Sequence, residues 1–424
     1  MTNDSDNQPG GVNWTPAREK LLLLTLAAIQ FTTTLDFIII LPLGPQYMEV
    51  LHINPRQFGL IVAAYGIAAG IAGLAAGFFL DWFDRKRALL FLYFGFALGT
   101  LFCAVAPTYQ LLVAARFFAG AFGGVVGAVI LAIVGDVVPM ERRGAAMGMV
   151  MSSFSVASII GVPLGNYLAA IYSWHIPFFA IAISSAIILI VAAVITPVLR
   201  GHMKHASDEH PVARTWAVMV HPDHQKAYLF MAALTFAGFM IFLIMPTYME
   251  FNVGFTQKQL SLIYFCGGIC TIFSMNWIGR WADRAGKLKV FTIMSLIAGV
   301  PILLLTNLPR VPVPLALCVT TALMVCMSGR FVPAMAMATG AVASRDRGGF
   351  MSINSAVTQL SLGLASYVGG LIVGETSKHE VTHFPVNGII SITCTYTCIY
   401  LAKFLKAAPE EKESVHAPVF VEPG

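Results

Sequence analysis

The stretch Gly77-Phe78-Phe79-Leu80-Asp81-Trp82-Phe83-Asp84-Arg85-Lys86-Arg87 lies between two long apolar runs. At an offset of 202 it returns as Gly279-Arg280-Trp281-Ala282-Asp283-Arg284-Ala285-Gly286-Lys287. In both copies a glycine precedes an aspartate by four positions, with basic residues around and after it. Glycine lets two helices approach closely at a membrane boundary. The carboxylate can cap the N-terminus of a neighbouring helix, where free N–H groups and the helix dipole favour negative charge. A loop obeying only the positive-inside bias explains the basic residues, but not a glycine and an aspartate repeated in register.

The repeat extends outward from this motif. Pro45-Gln46-Tyr47-Met48-Glu49 recurs as Pro246-Thr247-Tyr248-Met249-Glu250, and Gln57, Leu60 and Ile61 recur as Gln259, Leu262 and Ile263. Arg143-Gly144 and Met147 recur as Arg347-Gly348 and Met351. Ordered matches at nearly constant spacing indicate two parallel repeats. Such an architecture places a central cavity between the halves, open alternately to each side.

Composition sets the class. Of 424 residues 57% are apolar and only 11% are charged, against roughly a quarter charged in ordinary soluble domains; mean hydropathy is +0.77. A soluble enzyme, a disordered regulator and a coiled coil are excluded. At about 20 apolar residues per membrane-spanning helix, the chain holds enough for twelve. Long apolar runs fall near 21–44, 57–79, 88–106, 109–134, 146–171 and 176–198, then 227–249, 258–280, 289–307, 312–340, 349–374 and 385–405. β-Barrel strands would alternate rather than run continuously apolar.

The expected organisation is a cytoplasmic tail (1–17), a six-helix bundle (18–198), a cytoplasmic linker (199–226), a second six-helix bundle (227–405) and a cytoplasmic tail (406–424). Twenty Lys and Arg fall in the segments on the side of the termini, and four (Arg56, Lys258, Arg310, Lys378) fall on the other. That asymmetry places both termini in the cytoplasm. The net charge of +5 reflects these loops, and no nucleic-acid partner is expected. Residues 1–16 lack the pattern of a cleaved leader. The seven cysteines all lie in apolar runs, so a disulfide framework is not expected. Five of the ten histidines sit in the linker without a defined metal-ligand spacing, so a solvated segment is expected there and no metal. No nucleophile–base set or nucleotide-binding loop stands out, so the chain is expected to be neither an enzyme nor a cofactor carrier.

Ionisable side chains within membrane spans are costly and therefore functional candidates. Three lie clearly inside spans: Asp36, Arg116 and Arg330. Asp36 is about eight residues from the outer end of span 1 and Arg116 about seven from the outer start of span 4, so both sit roughly 10–12 Å deep. They match in depth and oppose in charge. Two readings stand. Either they form a buried structural pair, or Asp36 binds and releases a transported proton while Arg116 tunes it. Arg330 has no acid in the spans of its own half. It either faces backbone carbonyls and snorkels to the surface, or meets a polar or anionic substrate. Tyr47, Tyr65, Phe236, Phe239 and Phe242 can line an aromatic cavity or simply pack. Glycines spaced by three or four in span 2 (Gly66, Gly70, Gly73, Gly77), and those crowding span 4 (Gly120, Gly123, Gly124, Gly127), read as packing faces. Asp136 and Glu141-Arg142-Arg143 are expected to join a charged network around Asp81.

With these residues in view, the chain resembles the major facilitator superfamily, whose best-known motif has a Gly, an Asp four later and a basic cluster in the loop between spans 2 and 3. Asp84 stands where the family usually has Gly; the second copy keeps Gly286. Arg116-Phe117-Phe118-Ala119-Gly120 is similar to the span-4 motif of the drug-antiporter branch, where the arginine is implicated in proton transfer. Gly161-Val162-Pro163-Leu164-Gly165-Asn166 resembles the Gly-Pro-rich span-5 motif of antiporters, with Asn166 in place of a usual Gly. Proline there frees a backbone carbonyl and permits a kink. The resemblance implies an all-α membrane protein of twelve transmembrane helices in two pseudo-symmetric six-helix bundles. It also implies a monomer in the bacterial inner membrane that exports a small drug-like or sugar-like molecule against protons by alternating access. Gly77, Asp81, Arg85, Gly279, Asp283, Arg284, Gly286 and Lys287 would form conformational latches. Proton symport or uniport for uptake is the rival among transporters; a membrane sensor or enzyme is the rival from another class.

Overall fold

The computed structural model describes residues 16–197, 211–343, 346–377 and 379–405; residues 1–15 and 406–424 of the expected tails, and His202, His205 and His210, lie outside them. Among the described residues twelve helices are long and apolar enough to cross a membrane. They are α1 (Ala17–Ile39), α2 (Pro55–Phe79), α3 (Arg85–Val105), α4 (Tyr109–Val137), α5 (Arg142–Ile171) and α6 (His175–Ile195). The second set is α7 (Pro222–Val253), α8 (Gln257–Ala285), α9 (Lys287–Thr306), α10 (Val313–Gly340), α11 (Arg347–Ile372) and α12 (Phe384–Ala402). One end of the bundle carries the loop at Asp84, the α4–α5 turn and the linker, and is called the basic end; the opposite end is the far end.

The repeated sequence matches become repeated local structures. Gln57 and Gln259 are each the third residue of a helix and reach back to the N–H groups of Asn54 and Thr256, at 3.0 and 2.9 Å. The Asn54 and Thr256 side chains accept from Gln57 N and Gln259 N in return, which satisfies N–H groups that have no partner within the helix. The repeated Pro-x-Tyr-Met-Glu segments are short helical extensions beyond α1 and late in α7. The first is a separate helix, Gly44–Val50. Span 1 therefore ends at Ile39, five residues earlier than the apolar run suggested, because a turn at 40–43 breaks it. Part of the stretch expected to be a solvated linker is helical. Pro211–Val220 is a helix, and Thr215 Oγ1 donates to the Gly77 carbonyl at 3.1 Å. His224 is buried against Val218 O, at 2.9 Å.

Close backbone approach organises the bundle. α2 is its hub, packing on α4 of the same half and on α11 of the other. A methyl group on Gly120 would meet Tyr65 O at 2.3 Å, and one on Gly124 would meet Ala69 Cα at 2.5 Å. Across the halves, a methyl on Gly59 would meet Ser366 O at 2.7 Å, and one on Gly370 would meet Pro55 O at 2.8 Å. Small residues at these points let the helices touch where lipid supplies no hydrophobic drive.

The apolar interior forks along the membrane normal. At the far end one core joins both halves, with Tyr47, Phe58, Trp174 and Phe178 packed in the same cluster as Met245, Tyr248, Ile302 and Phe384. Toward the basic end there are separate cores. One holds Leu26, Tyr93, Val129 and Val150 of the first half; the other holds Phe230, Phe291, Ala334 and Phe350 of the second. Gly120→Val should therefore lower the melting temperature of the purified protein by several degrees, since overpacking costs about 1–3 kcal/mol. Gly148→Ala, where an added methyl has no neighbour within 4 Å, should leave it unchanged or raise it, by helix propensity worth up to about 1 kcal/mol.

Candidate functional site

α1 and α4 carry their ionisable residues to the same depth, and the two side chains meet. Arg116 Nη1 donates to Asp36 Oδ2 at 2.8 Å and to the Asp36 backbone carbonyl at 3.2 Å. Both side chains are 0% exposed. Thr100 on α3 donates to Asp36 Oδ1 at 3.1 Å, so each carboxylate oxygen has a donor. The guanidinium carbon lies 4.4 Å from the centre of the Tyr65 ring on α2. Arg116 Nε and Nη2 have no hydrogen-bond partner among the described residues. The cation is thus held by one carboxylate, one carbonyl and an aromatic face, with N–H capacity unused. The carboxylate can lose its charge by taking a proton; the guanidinium cannot. Protonation of Asp36 would leave Arg116 uncompensated where neither side chain is exposed, which would give this pair two states of very different energy.

Aromatic rings carry this cluster to the boundary between the halves. Phe37, next to Asp36, lies 5.4 Å from Tyr65 and 6.1 Å from Phe239 of α7, which lies 6.3 Å from Phe242 (ring centres). Tyr47 is placed elsewhere. It is 0% exposed in the far-end core, with its ring against Phe58 and Trp174 and its hydroxyl unpartnered. Burial pushes the Tyr47 phenol well above its ordinary range.

The span-5 motif divides between two jobs. A π-helical turn, Ala157–Gly161, precedes Pro163. Methyl groups on Gly161 and Gly165 would strike Leu35 and Ile39 of α1, at 2.8 and 2.7 Å, so these glycines serve packing within their own half. Asn166 crosses to the other half: its Nδ2 donates to Gln257 O at 2.7 Å and Ser261 Oγ at 3.0 Å. Gln257 Nε2 donates to Asn166 Oδ1 at 2.6 Å and Pro42 O at 2.9 Å. α5 meets α8 over the far-end segment 157–171.

At the basic end the capping carboxylate is Asp84. It accepts from Arg87 N at 3.0 Å and starts α3. The residue that departs from the family pattern thus caps the helix it starts, while the side chain of Asp81, expected to cap a neighbouring helix, lies outside the described residues. Arg85 is buried, with Nε 3.4 Å from Asp136 Oδ2 on α4. Arg142 pairs with Glu19 of α1 at 3.0 Å, and Arg143 Nε donates to Val138 O; the side chain of Glu141 is outside the described residues. In the second copy Asp283, Arg284 and Lys287 are exposed, and Gly286 has φ +95°, a conformation that side-chain-bearing residues rarely adopt. A methyl on Gly279 would be 3.7 Å from Val332, and one on Gly77 would be 3.8 Å from Thr215.

Arg330 does not snorkel. It is 2% exposed, and its one hydrogen bond among the described residues runs from Nη1 to Thr395 Oγ1 at 2.5 Å. Sequence reasoning passed over Thr100, Thr395, Gln257 and Ser261, whose small polar side chains are unremarkable in an apolar run. Asn166 alone had a signal, as an asparagine where the motif has glycine.

Twelve apolar helices in two halves around a buried acid–base pair define a polytopic membrane carrier. Consistent with this, the sequence pattern of the Major Facilitator Superfamily matches residues 26–319 and 227–421. The chain belongs to that superfamily and is a membrane transporter rather than an enzyme. It is 23% identical over 374 residues to the uncharacterized MFS-type transporter YceJ of Bacillus subtilis (strain 168), covering 87% of this chain and 94% of the relative. It is 20% identical to Multidrug resistance protein 1 of the same organism, over 84% of this chain and 90% of that one. The fold matches a crystal structure of a bacterial homolog of the human lysosomal transporter Spinster, in an inward-facing, unoccupied conformation. There the TM-score is 0.70 at 13% identity, over 94% of this chain and all of the other. The nucleoside transporter NupG gives a TM-score of 0.71 at 13% identity, over 91% of this chain and all of the other.

Breaking a buried ion pair costs about 3–5 kcal/mol, whereas replacing both partners by apolar residues can be neutral. Asp36→Leu alone should therefore destabilise the protein more than the double variant Asp36→Leu, Arg116→Met. Thermal melts of the two singles and the double measure the coupling directly.

Proposed function

We infer that this transporter exports a small organic molecule in exchange for protons, with Asp36 as the proton carrier. The observation that carries the reading is the Asp36–Arg116 pair, sealed at 0% exposure on both side chains. A carboxylate locked against a guanidinium holds no proton; rocking of the halves that separates the two or admits water lets it take one. Tyr65 and Thr100 keep the partners in register while the pair is closed. Export is supported by the likeness to multidrug resistance proteins and by the span-5 sequence Gly161-Val162-Pro163-Leu164-Gly165. The two six-helix units are the rocking bodies, the basic end is cytoplasmic by its Lys and Arg, and the bacterial relatives point to an inner membrane. In this arrangement the shared far-end core and the Asn166–Gln257 clasp close the outer side. The glycine and aspartate at 77 and 81, with their partners at 279 and 283, act as cytoplasmic latches. The working unit is a monomer.

In proteoliposomes with an imposed pH gradient, substrate flux by the wild-type protein should follow the gradient. Asp36→Asn should abolish gradient-driven accumulation while leaving the protein folded; accumulation equal to wild type contradicts the coupling role. Asp81→Ala should slow exchange at unchanged expression, and an unchanged rate removes the latch.

A further inference from the structure

Arg330 is a buried cation for which the described residues supply no carboxylate. It lies on α10 ten residues from the basic end, about 15 Å deep at 1.5 Å per residue, and is 2% exposed. Among the described residues the titratable groups that act on it are the thiols of Cys326 and Cys398, and only Nη1 is hydrogen-bonded, to Thr395. An isolated ion in a low-dielectric interior costs several kcal/mol unless something compensates it.

The other half shows how such a cation is compensated. There α1 presents Asp36 to Arg116 on α4. α7 and α10 are the counterparts of α1 and α4; the offset of 201 that holds for Pro45–Glu49 carries Asp36 onto Ala237, the neighbour of Gly238, while Arg116 falls on Thr320, so Arg330 stands further along α10 than its counterpart would. A methyl group on Gly238 would lie 3.9 Å from Arg330 Nη2 and would have no other neighbour within 4 Å. Thus in the second half a buried arginine points at a glycine beside the position equivalent to Asp36, with room in front of that glycine.

We propose that Arg330, Thr395 and the space over Gly238 form a binding site for the carboxylate of a small organic monoanion, which the protein carries as its substrate. A monoanion fits because one guanidinium balances one charge; a phosphate dianion would leave net negative charge among Cys326, Cys398 and the surrounding apolar residues. A planar carboxylate also matches the geometry of the guanidinium edge. The inference rests on the chain being a small-molecule carrier and narrows its cargo, but it does not depend on Asp36 carrying a proton.

The test uses purified full-length protein in detergent and thermal melts with acetate, lactate and benzoate, each against its neutral amide and at matched ionic strength. At least one carboxylate should raise the melting temperature with concentration while its amide does not, because a ligand that binds only the folded state stabilises it. Arg330→Gln should weaken that response by about tenfold or more. Gly238→Asp places a carboxylate in the site; it should abolish the response and raise the melting temperature without ligand. If Gly238→Asp does not fold, the Arg330→Gln titration decides. No response to any of the three acids, or an equal response in Arg330→Gln, overturns the site. A carboxylate response in a protein that shows no pH-driven flux would leave this site standing and sink the coupling reading alone.

Discussion

Charge does not enter hydrocarbon without a partner, and the rest of this structure depends on that constraint. It sorts most of the Lys and Arg residues to one end of the bundle. It also draws Asp36 and Arg116 into a contact of 2.8 Å with neither side chain exposed. The pair ties α1 to α4, Thr100 brings in α3, and the Tyr65 ring brings in α2. Four helices of one half thus converge on a single compensated charge. Because a proton can neutralise only one member, the contact that holds the half together would, on the proposed reading, also make it sensitive to protonation.

The packing adds direction to this chemistry. One apolar core spans both halves at the far end, while the basic end has a core for each half. The halves therefore share one core where Asp36 and Arg116 lie and keep separate cores toward Asp84, Arg85 and Asp136, where α2 and α11 remain in contact through Gly73 and Ala356. Glycines on α2 and α11 permit the backbone contact that joins them. The Asn166–Gln257 hydrogen bonds are polar contacts between halves that can exchange for water when that end opens, at modest net cost compared with parting an apolar core.

Much of the fold was legible in the sequence because a membrane imposes long, continuous apolar runs and because the chain repeats itself. Gln57 and Gln259 matched in register since both close the same capping arrangement. The depth of Arg116 could be counted from the start of its span, whereas Asp36 was counted from an end five residues too far along and lies three residues from the close of α1. What the sequence concealed was directional. The break after Ile39 lies in an apolar run that reads as unbroken helix. The helix Pro211–Val220 was hidden by the charged, histidine-bearing character of its surroundings. Asp84 read as a departure from a motif when it is the residue that caps α3, since a side chain's reach to a backbone N–H depends on dihedral angles that spacing does not reveal. Arg330 stood out by charge, but its unfilled surroundings became visible only once Gly238 and Thr395 were placed around it.

The central claim is that Asp36 alternates between a carboxylate held by Arg116 and a protonated acid. Infrared difference spectroscopy of the protein in lipid, taken across a pH titration, reads this at the atom concerned. The account predicts a carboxylic-acid C=O stretch that grows as pH falls and is missing in Asp36→Asn. A spectrum in which that variant keeps every carboxylic-acid band of the wild type would contradict it.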